Sequence, residues 1–403
     1  MRAALLEIYA AALQAVNGRA RVHAYLTQHS LFGDVHVIAL GKAAAAMVHG
    51  AMDALGGRIA SAYIVTKHGH GETLPWPCIE AGHPLPDAHS LAAGAGLVEY
   101  ARQLPPRAQV LVLLSGGASS LVELPRPDLT LADLRAFNGW LLASGLNIVQ
   151  CNTLRKRLSQ IKGGQMAKWL APRPVLCLCI SDVPGDDPSV IASGPLVADA
   201  SVFDVHAYPS LPAHLRALLP KEALPLEPAW FHTLRIDIIA TLQQAKAAAG
   251  QAAQRLGYRA QVHEEFIADD AQAAAHAMVQ TLRTGAAGSV HVWGGETTVQ
   301  LPIHPGRGGR NQHLALTAAL ALDGEDKIFF LAAGTDGSDG PSTDAGALVD
   351  GASIARGNTQ GLDAHAALAA ADAGTFLEAS GDLIETGPTG TNVMDIMLGL
   401  KYD

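Results

Sequence analysis

The chain has 403 residues, 49% of them hydrophobic and only 16% charged, which is too long for one ordinary core and too apolar for a disordered segment. A formal net charge of −9 removes the basic footprint that nucleic-acid binding requires, and no apolar run is long enough for a membrane span. Neither nucleic acid nor membrane is therefore expected as a partner, and the cytoplasm is the expected location.

Arg2 precedes an apolar stretch, but Glu7 interrupts it and the leucines fall at helical spacing, which predicts an amphipathic first helix rather than a secretion signal. Short apolar runs then alternate with Ala-rich helical stretches. The runs are Val35–Leu40, Ala62–Thr66, Val110–Leu114, Val175–Ile180, Ile236–Ala240, Val290–Trp293 and Ile328–Ala332. The helical stretches include Ala43–Leu55, Ser90–Gln103, Ala132–Gly145, Leu242–Leu256, Asp270–Arg283 and Gln312–Leu322. Val/Ile/Leu-rich strands alternating with helices predict an α/β fold built on a mostly parallel, doubly wound sheet. Prolines cluster between Tyr208 and Trp230, and a domain boundary is placed there, giving domains 1–230 and 231–403. The four cysteines do not form a disulfide framework. Cys177 and Cys179, two apart in an apolar run, read as core residues on one strand face.

Polar and glycine-rich segments follow five of the apolar runs, where ligands bind in open α/β sheets. The first is Gly41-Lys42, whose lysine at a helix start opposes the helix dipole unless an anion sits there. Ser115, Gly116, Gly117, Ser119 and Ser120 form either a phosphate nest or a strand–helix turn that needs glycine. Asp182, Asp186 and Asp187 form an acid loop, and Asp336, Asp339 and Asp344 a second; both offer oxygen ligands to Mg²⁺, and both also suit Asx-turns. Gly294, Gly295 and Glu296 follow another run, and Arg307 and Arg310 stand among glycines before a helix, an anion-binding pattern. His68 and His70 have no third ligand at telling spacing and read as loop residues; His83, before Pro84, is a candidate for the site. No Walker A motif, protein-kinase motif set or G-x-S-x-G elbow occurs.

Together the strings ALGKAA (39–44), EAGHPLPD (80–87), LLSGGASSL (113–121), NTLRKRLSQIKGGQMA (152–167), SDVPGDDPSVIASGP (181–195), GGETTV (294–299), GRGGRNQHLAL (306–316), AAGTDGSDGP (332–341) and GPTGTN (387–392) resemble the glycerate 2-kinase family of the MOFRL type. The chain departs from that pattern at Ala118, in the LVELP ending, and at Ala371-Asp372-Ala373-Gly374. The resemblance implies an N-terminal Rossmann-like domain, a smaller C-terminal α/β domain with a mixed sheet, and a cleft between them. It implies transfer of a phosphoryl group from ATP to D-glycerate, giving 2-phosphoglycerate, with a divalent cation. It makes Lys42, Arg310 and Asp182 the catalytic residues. The remaining expected roles are nucleotide contacts from Ser115–Ser120 and Gly294–Glu296, substrate contacts from Arg155, Lys156, His83, Thr389 and Asn392, and metal contacts from Asp182, Asp187 and Asp336. A hydroxypyruvate or tartronate semialdehyde reductase and a non-catalytic binding protein stand as alternatives, and a homodimer is left open.

Overall fold

A computed structural model describes residues 1–220 and 222–402. The first sheet contains β1 (Val35–Leu40), β2 (Ile59–Lys67), β3 (Cys78–Ala81), β4 (Gln109–Leu114), β5 (Val175–Ile180) and β6 (Leu234–Ala240). These strands are all parallel and lie in the order β3-β2-β1-β4-β5-β6. That is the doubly wound order, whose direction reverses between β1 and β4 and leaves a crevice at their carboxyl ends. Alternation of strand side chains supplies two buried faces. Ile38, Leu40, Val110, Val112 and Leu114 join a core with Leu97 and Ala101 of the helix Ala88–Gln103, while Val37, Ala39, Leu111 and Leu113 are equally buried. Cys177 and Cys179 belong to the first of these cores, on one strand face as expected, with Sγ atoms 3.5 Å apart.

The second sheet contains β7 (Arg259–Ile267), β8 (Ser289–Gly295), β9 (Ile328–Gly334), β10 (Gly346–Asp350), β11 (Leu383–Ile384) and β12 (Asp395–Lys401), in the order β11-β10-β9-β12-β8-β7. Only β7 and β8 are parallel; every other pair is antiparallel, so the sheet is mixed. Its core joins Phe330, Ala332 and Met397 to Leu314 and Ala318 of the helix Arg310–Ala321. The first helix, Arg2–Ala15, buries Leu5, Ile8, Tyr9 and Ala12 at the predicted helical spacing.

The chain divides into a continuous unit, Gly18–Ala240, and a discontinuous one that joins Met1–Asn17 to the segment from Thr241 onward. This division differs from the expected domains 1–230 and 231–403 for two physical reasons. The apolar stripe of the first helix packs on the helix Leu242–Arg255 and on β12, and the strand after the proline cluster completes the first sheet as β6. The proline-rich stretch is not a free linker. Tyr208, Leu211 and Leu215 are buried with Phe137 and Leu154, and Trp230 and Phe231 pack on the core of the parallel sheet.

Candidate active site

At the switch point of the parallel sheet, β1 is followed by Gly41 and β4 by Ser115. The two are locked together: the Ser115 amide donates to the Leu40 carbonyl at 3.0 Å, and the Lys42 amide to the Gly116 carbonyl at 2.9 Å. Gly41 has φ +124°, and a Cβ there would stand 2.3 Å from Ser115 Oγ, so only glycine permits the approach. The Ser115 side chain is fully buried and accepts the Ala43 amide at 3.0 Å. It thus holds the start of the helix Ala44–Leu55, a local structural use alongside its expected place in the nucleotide loop.

Gly117 is left-handed, with φ +86°, and a Cβ on it would meet the His83 ring at 3.1 Å and Lys42 Cγ at 3.2 Å. Lys42, His83 and the turn 115–120, far apart in sequence, are therefore side by side at the crevice. Ser119 Oγ lies 2.8 Å from Ser193 Oγ, which donates to Asn152 Oδ1 at 2.8 Å. That chain ties the turn to the helix Ile148–Leu158 and to the loop after β5, which carries Asp182 and Asp187. Asn152 and Ser193 were not singled out from sequence, although both lie within the family-like strings; neither residue type signals a role without its neighbours in space. Asp182 is partly buried. Asp187 is exposed and accepts the Ser189 amide at 2.8 Å, the Asx-turn that sequence left open. Ser120 Oγ turns back onto the Gly117 carbonyl.

Arg155 and Lys156 differ sharply. Lys156 Nζ is tied to Asp199 at 3.1 Å, with both side chains nearly buried. Arg155 donates to Asn138 Oδ1 at 3.1 Å, and no ion pair with a described carboxylate accompanies it. Burial depresses its pKa, and Cys151 and Glu123 offset this only in part, so its charge is incompletely compensated. Arg155 stands one helical turn after Asn152, on the same face.

In the second sheet, β8 and β9 end, and the antiparallel β12 begins, at one edge: Asp395 is paired with both Gly295 and Gly334. Arg310, the first residue of its helix, makes a bidentate pair with Asp395 at 2.5 and 3.0 Å and reaches Glu296 at 3.0 Å. Burial disfavours its charge, but Asp395 and Glu296 outweigh that and hold its pKa well above the ordinary value. The anion expected at this helix N-terminus is the protein's own Asp339. Fully enclosed, its carboxylate accepts the Asn311 and Gln312 amides at 3.1 and 2.8 Å. Burial pushes the Asp339 carboxyl up to about 7, opposed by the Gln312 amide and by Arg310. Gly309 makes room for it, since a Cβ there would stand 2.3 Å from Asp339 Oδ1. Arg307 pairs with Asp344 and Glu378 instead.

Gly294 and Gly295 lie inside β8, where Leu242 and the Ile267 carbonyl would collide with a side chain, so close packing accounts for both. Asp336 accepts the Ser338 amide and hydroxyl, at 2.9 and 3.1 Å. Thr389 Oγ1 donates to the Thr335 carbonyl, and Asn392 is buried in the same loop. Asp395 went unmarked in sequence because a lone aspartate heading an apolar run carries no motif. The two acid loops fall on different units, Asp182 and Asp187 on the continuous one and Asp336 on the other. A concavity of about 470 Å³ lined by Phe32, Asp34, Arg107 and Pro174 lies at the amino ends of β1, β4 and β5, away from the switch point.

Residues 4–217 match the family described as a domain of unknown function, DUF4147, and residues 289–395 match the MOFRL family. A D-glycerate 2-kinase of Thermotoga maritima is 36% identical over 91% of this chain and 90% of its own. A glycerate 2-kinase of Pyrococcus horikoshii is 34% identical over 91% and 87%. A protein of Agrobacterium vitis that is 40% identical, over 89% and 85%, carries the name hydroxypyruvate reductase only provisionally. The crystal structure of a Thermotoga maritima glycerate kinase superposes with a TM-score of 0.83 at 35% identity, covering 99% of this chain and 98% of that one.

Proposed function

We propose, from the premise that the chain belongs to the glycerate 2-kinase family of the MOFRL type, that it transfers the γ-phosphoryl group of ATP to the 2-hydroxyl of D-glycerate, giving 2-phosphoglycerate and ADP. The observation that carries this reading in the structure is the convergence of Lys42, His83 and left-handed Gly117 at the β1/β4 switch point. Phosphoryl transfer runs through a loose transition state, so catalysis is mostly positioning and neutralisation of charge on the transferring oxygens.

The turn 115–120 cradles phosphate, and Lys42, whose side chain runs beside Gly117, supplies positive charge to it. His83 borders the same spot and orients the substrate. Arg155 is the better receptor for the glycerate carboxylate, since Lys156 is ion-paired with Asp199 whereas Arg155 is desolvated with its charge only partly offset. Thr389 and Asn392 are further substrate contacts in this reading. Arg310 acts from the second sheet, with its guanidinium aimed by Asp395 and Glu296. A divalent cation fits the hard oxygens of Asp182 and Asp187, the latter keeping one carboxylate oxygen outside its turn bond, and Asp336 is a third candidate. When bound, such a cation offsets phosphate charge. The cytoplasm remains the proposed location; no helix among the described residues is long and apolar enough to cross a membrane.

Purified protein given Mg-ATP and D-glycerate tests the proposal when the product isomer is identified. Formation of 2-phosphoglycerate supports it; 3-phosphoglycerate, or no ATP turnover, overturns it. NADPH oxidation with hydroxypyruvate would favour the reductase instead. The residues after β1, Gly41-Lys42-Ala43-Ala44, lack the glycine fingerprint of a dinucleotide site.

A further inference from the structure

Beyond Lys42, His83 and the turn 115–120, three side chains meet that sequence spacing does not bring together. His68 follows β2, Asp87 caps the helix Ala88–Gln103, and His89 lies in that helix's first turn. Their ligand atoms all lie within 4.8 Å of one another. Asp87 divides its oxygens: Oδ1 accepts the Ser90 amide at 2.9 Å, while Oδ2 faces His68 Nε2 at 2.8 Å and His89 Nδ1 at 3.6 Å. The two rings stand edge to face, with centroids 5.6 Å apart. Ligands bonded at about 2.0–2.1 Å in a tetrahedron stand about 3.3 Å from each other, so this spacing suits a small tetrahedral ion.

A second observation points the same way. The other ring nitrogen of His68, Nδ1, faces Glu80 Oε2 at 3.9 Å. Glu80 in turn accepts the Gly69 and Gly71 amides at 3.2 and 2.9 Å, which fixes the His68 turn. A carboxylate behind the free nitrogen of a ligating histidine is the usual outer partner at zinc sites.

We propose that His68, Asp87 and His89 form a binding site for a zinc-class divalent metal, with Glu80 as outer partner and water in the fourth position. Two imidazoles and one carboxylate select Zn²⁺, Co²⁺ or Ni²⁺ over Mg²⁺, which prefers oxygen, so the site is distinct from the cation that accompanies ATP. The ion would join the turn after β2 to the start of the helix Ala88–Gln103. Residues 82–86, which carry His83 to the crevice, run directly into that helix start. Bound metal therefore braces the His83 loop.

The test uses tag-free, full-length protein stripped with EDTA and titrated with Co²⁺, followed by displacement with Zn²⁺. One equivalent of Co²⁺ with the strong visible absorption of tetrahedral cobalt, bleached by Zn²⁺, is the expected result. His68→Ala and His89→Ala should abolish that spectrum, and Glu80→Gln should weaken binding about tenfold. Cys78→Ser should leave the spectrum unchanged. His89→Gln is the mildest variant, on a side chain that is 67% exposed, and circular dichroism confirms its fold. A folded His89→Gln protein with an unchanged cobalt spectrum overturns the assignment. So do a weak octahedral spectrum in the unsubstituted protein and loss of binding on Cys78→Ser.

Discussion

Two glycine-rich turns lead into helices, one at 115–120 on the parallel sheet and one at 306–310 on the mixed sheet. In sequence both look like anion sites, but the structure separates them. In the first, left-handed Gly117 brings Lys42 and His83 together. In the second, the glycines admit the protein's own carboxylates: Gly309 rests against Asp339, and a Cβ on Gly306 would strike Asp372. A helix N-terminus satisfied from within cannot serve an outside anion with those same amides. What the second turn offers instead is an arginine held in place by two carboxylates.

The largest test of that contrast is Arg310→Ala. If the arginine neutralises the transferring group, turnover falls by roughly 10³-fold or more. The substitution also strands Asp395, which is 1% exposed, at a cost of about 3 kcal/mol, the low end for a broken buried pair because Arg310 is 32% exposed. Denaturant melts and steady-state rates on Arg310→Ala/Asp395→Asn separate the two effects: stability should return and turnover should not. Recovery of both would leave Arg310 a purely structural residue.

Lys42→Ala comes next, with an expected loss of about 10²-fold in kcat, typical of removing one preorganised donor. A normal kcat at saturating ATP would reduce Lys42 to a surface or binding role. The glycines sharpen the comparison further. Gly309→Ala should cost about 2 kcal/mol by displacing the Asp339 cap, visible as a lowered denaturation midpoint. Gly117→Ala should cost about 1–2 kcal/mol in left-handed strain, yet lose more activity than stability, because its new methyl crowds His83 and Lys42.

The last test is on pH. Asp339 in the folded protein takes up its proton at about 7, whereas an unfolded aspartate does so near its ordinary value. The folded state binds more protons in that window. Its contribution to stability is therefore full below about pH 4 and is lost as pH rises through about 7. Melts of Asp339→Asn should lack this decline. A parallel slope in variant and parent would assign it to another group.

The parallel sheet was legible because its strands are buried on both faces and read as unbroken apolar runs; β1 and β5 fall on the predicted residues. β7, with the sequence RAQVHEEFI, escaped because an edge strand carries charge on its open side, and β12 because Asp395 and Gly399 interrupt the usual signal. At the candidate site, Lys42 and the Ser115–Ser120 turn stand out by position alone, since strand ends and glycines mark them. The Ser119–Ser193–Asn152 chain and the Arg310–Asp395 pair depend on contacts between distant segments, which no local pattern encodes.

The discontinuous unit sets an order on synthesis. Tyr9 bonds the Gly334 carbonyl across 325 residues, and β12, the last strand made in its sheet, lies between β8 and β9. On the ribosome the Gly18–Ala240 unit can close while the first helix still waits with Leu5 and Ile8 uncovered. β8 and β9 likewise hold open edges until β12 has been made. The nascent chain thus carries an uncovered amphipathic helix and an unfinished sheet at the same time.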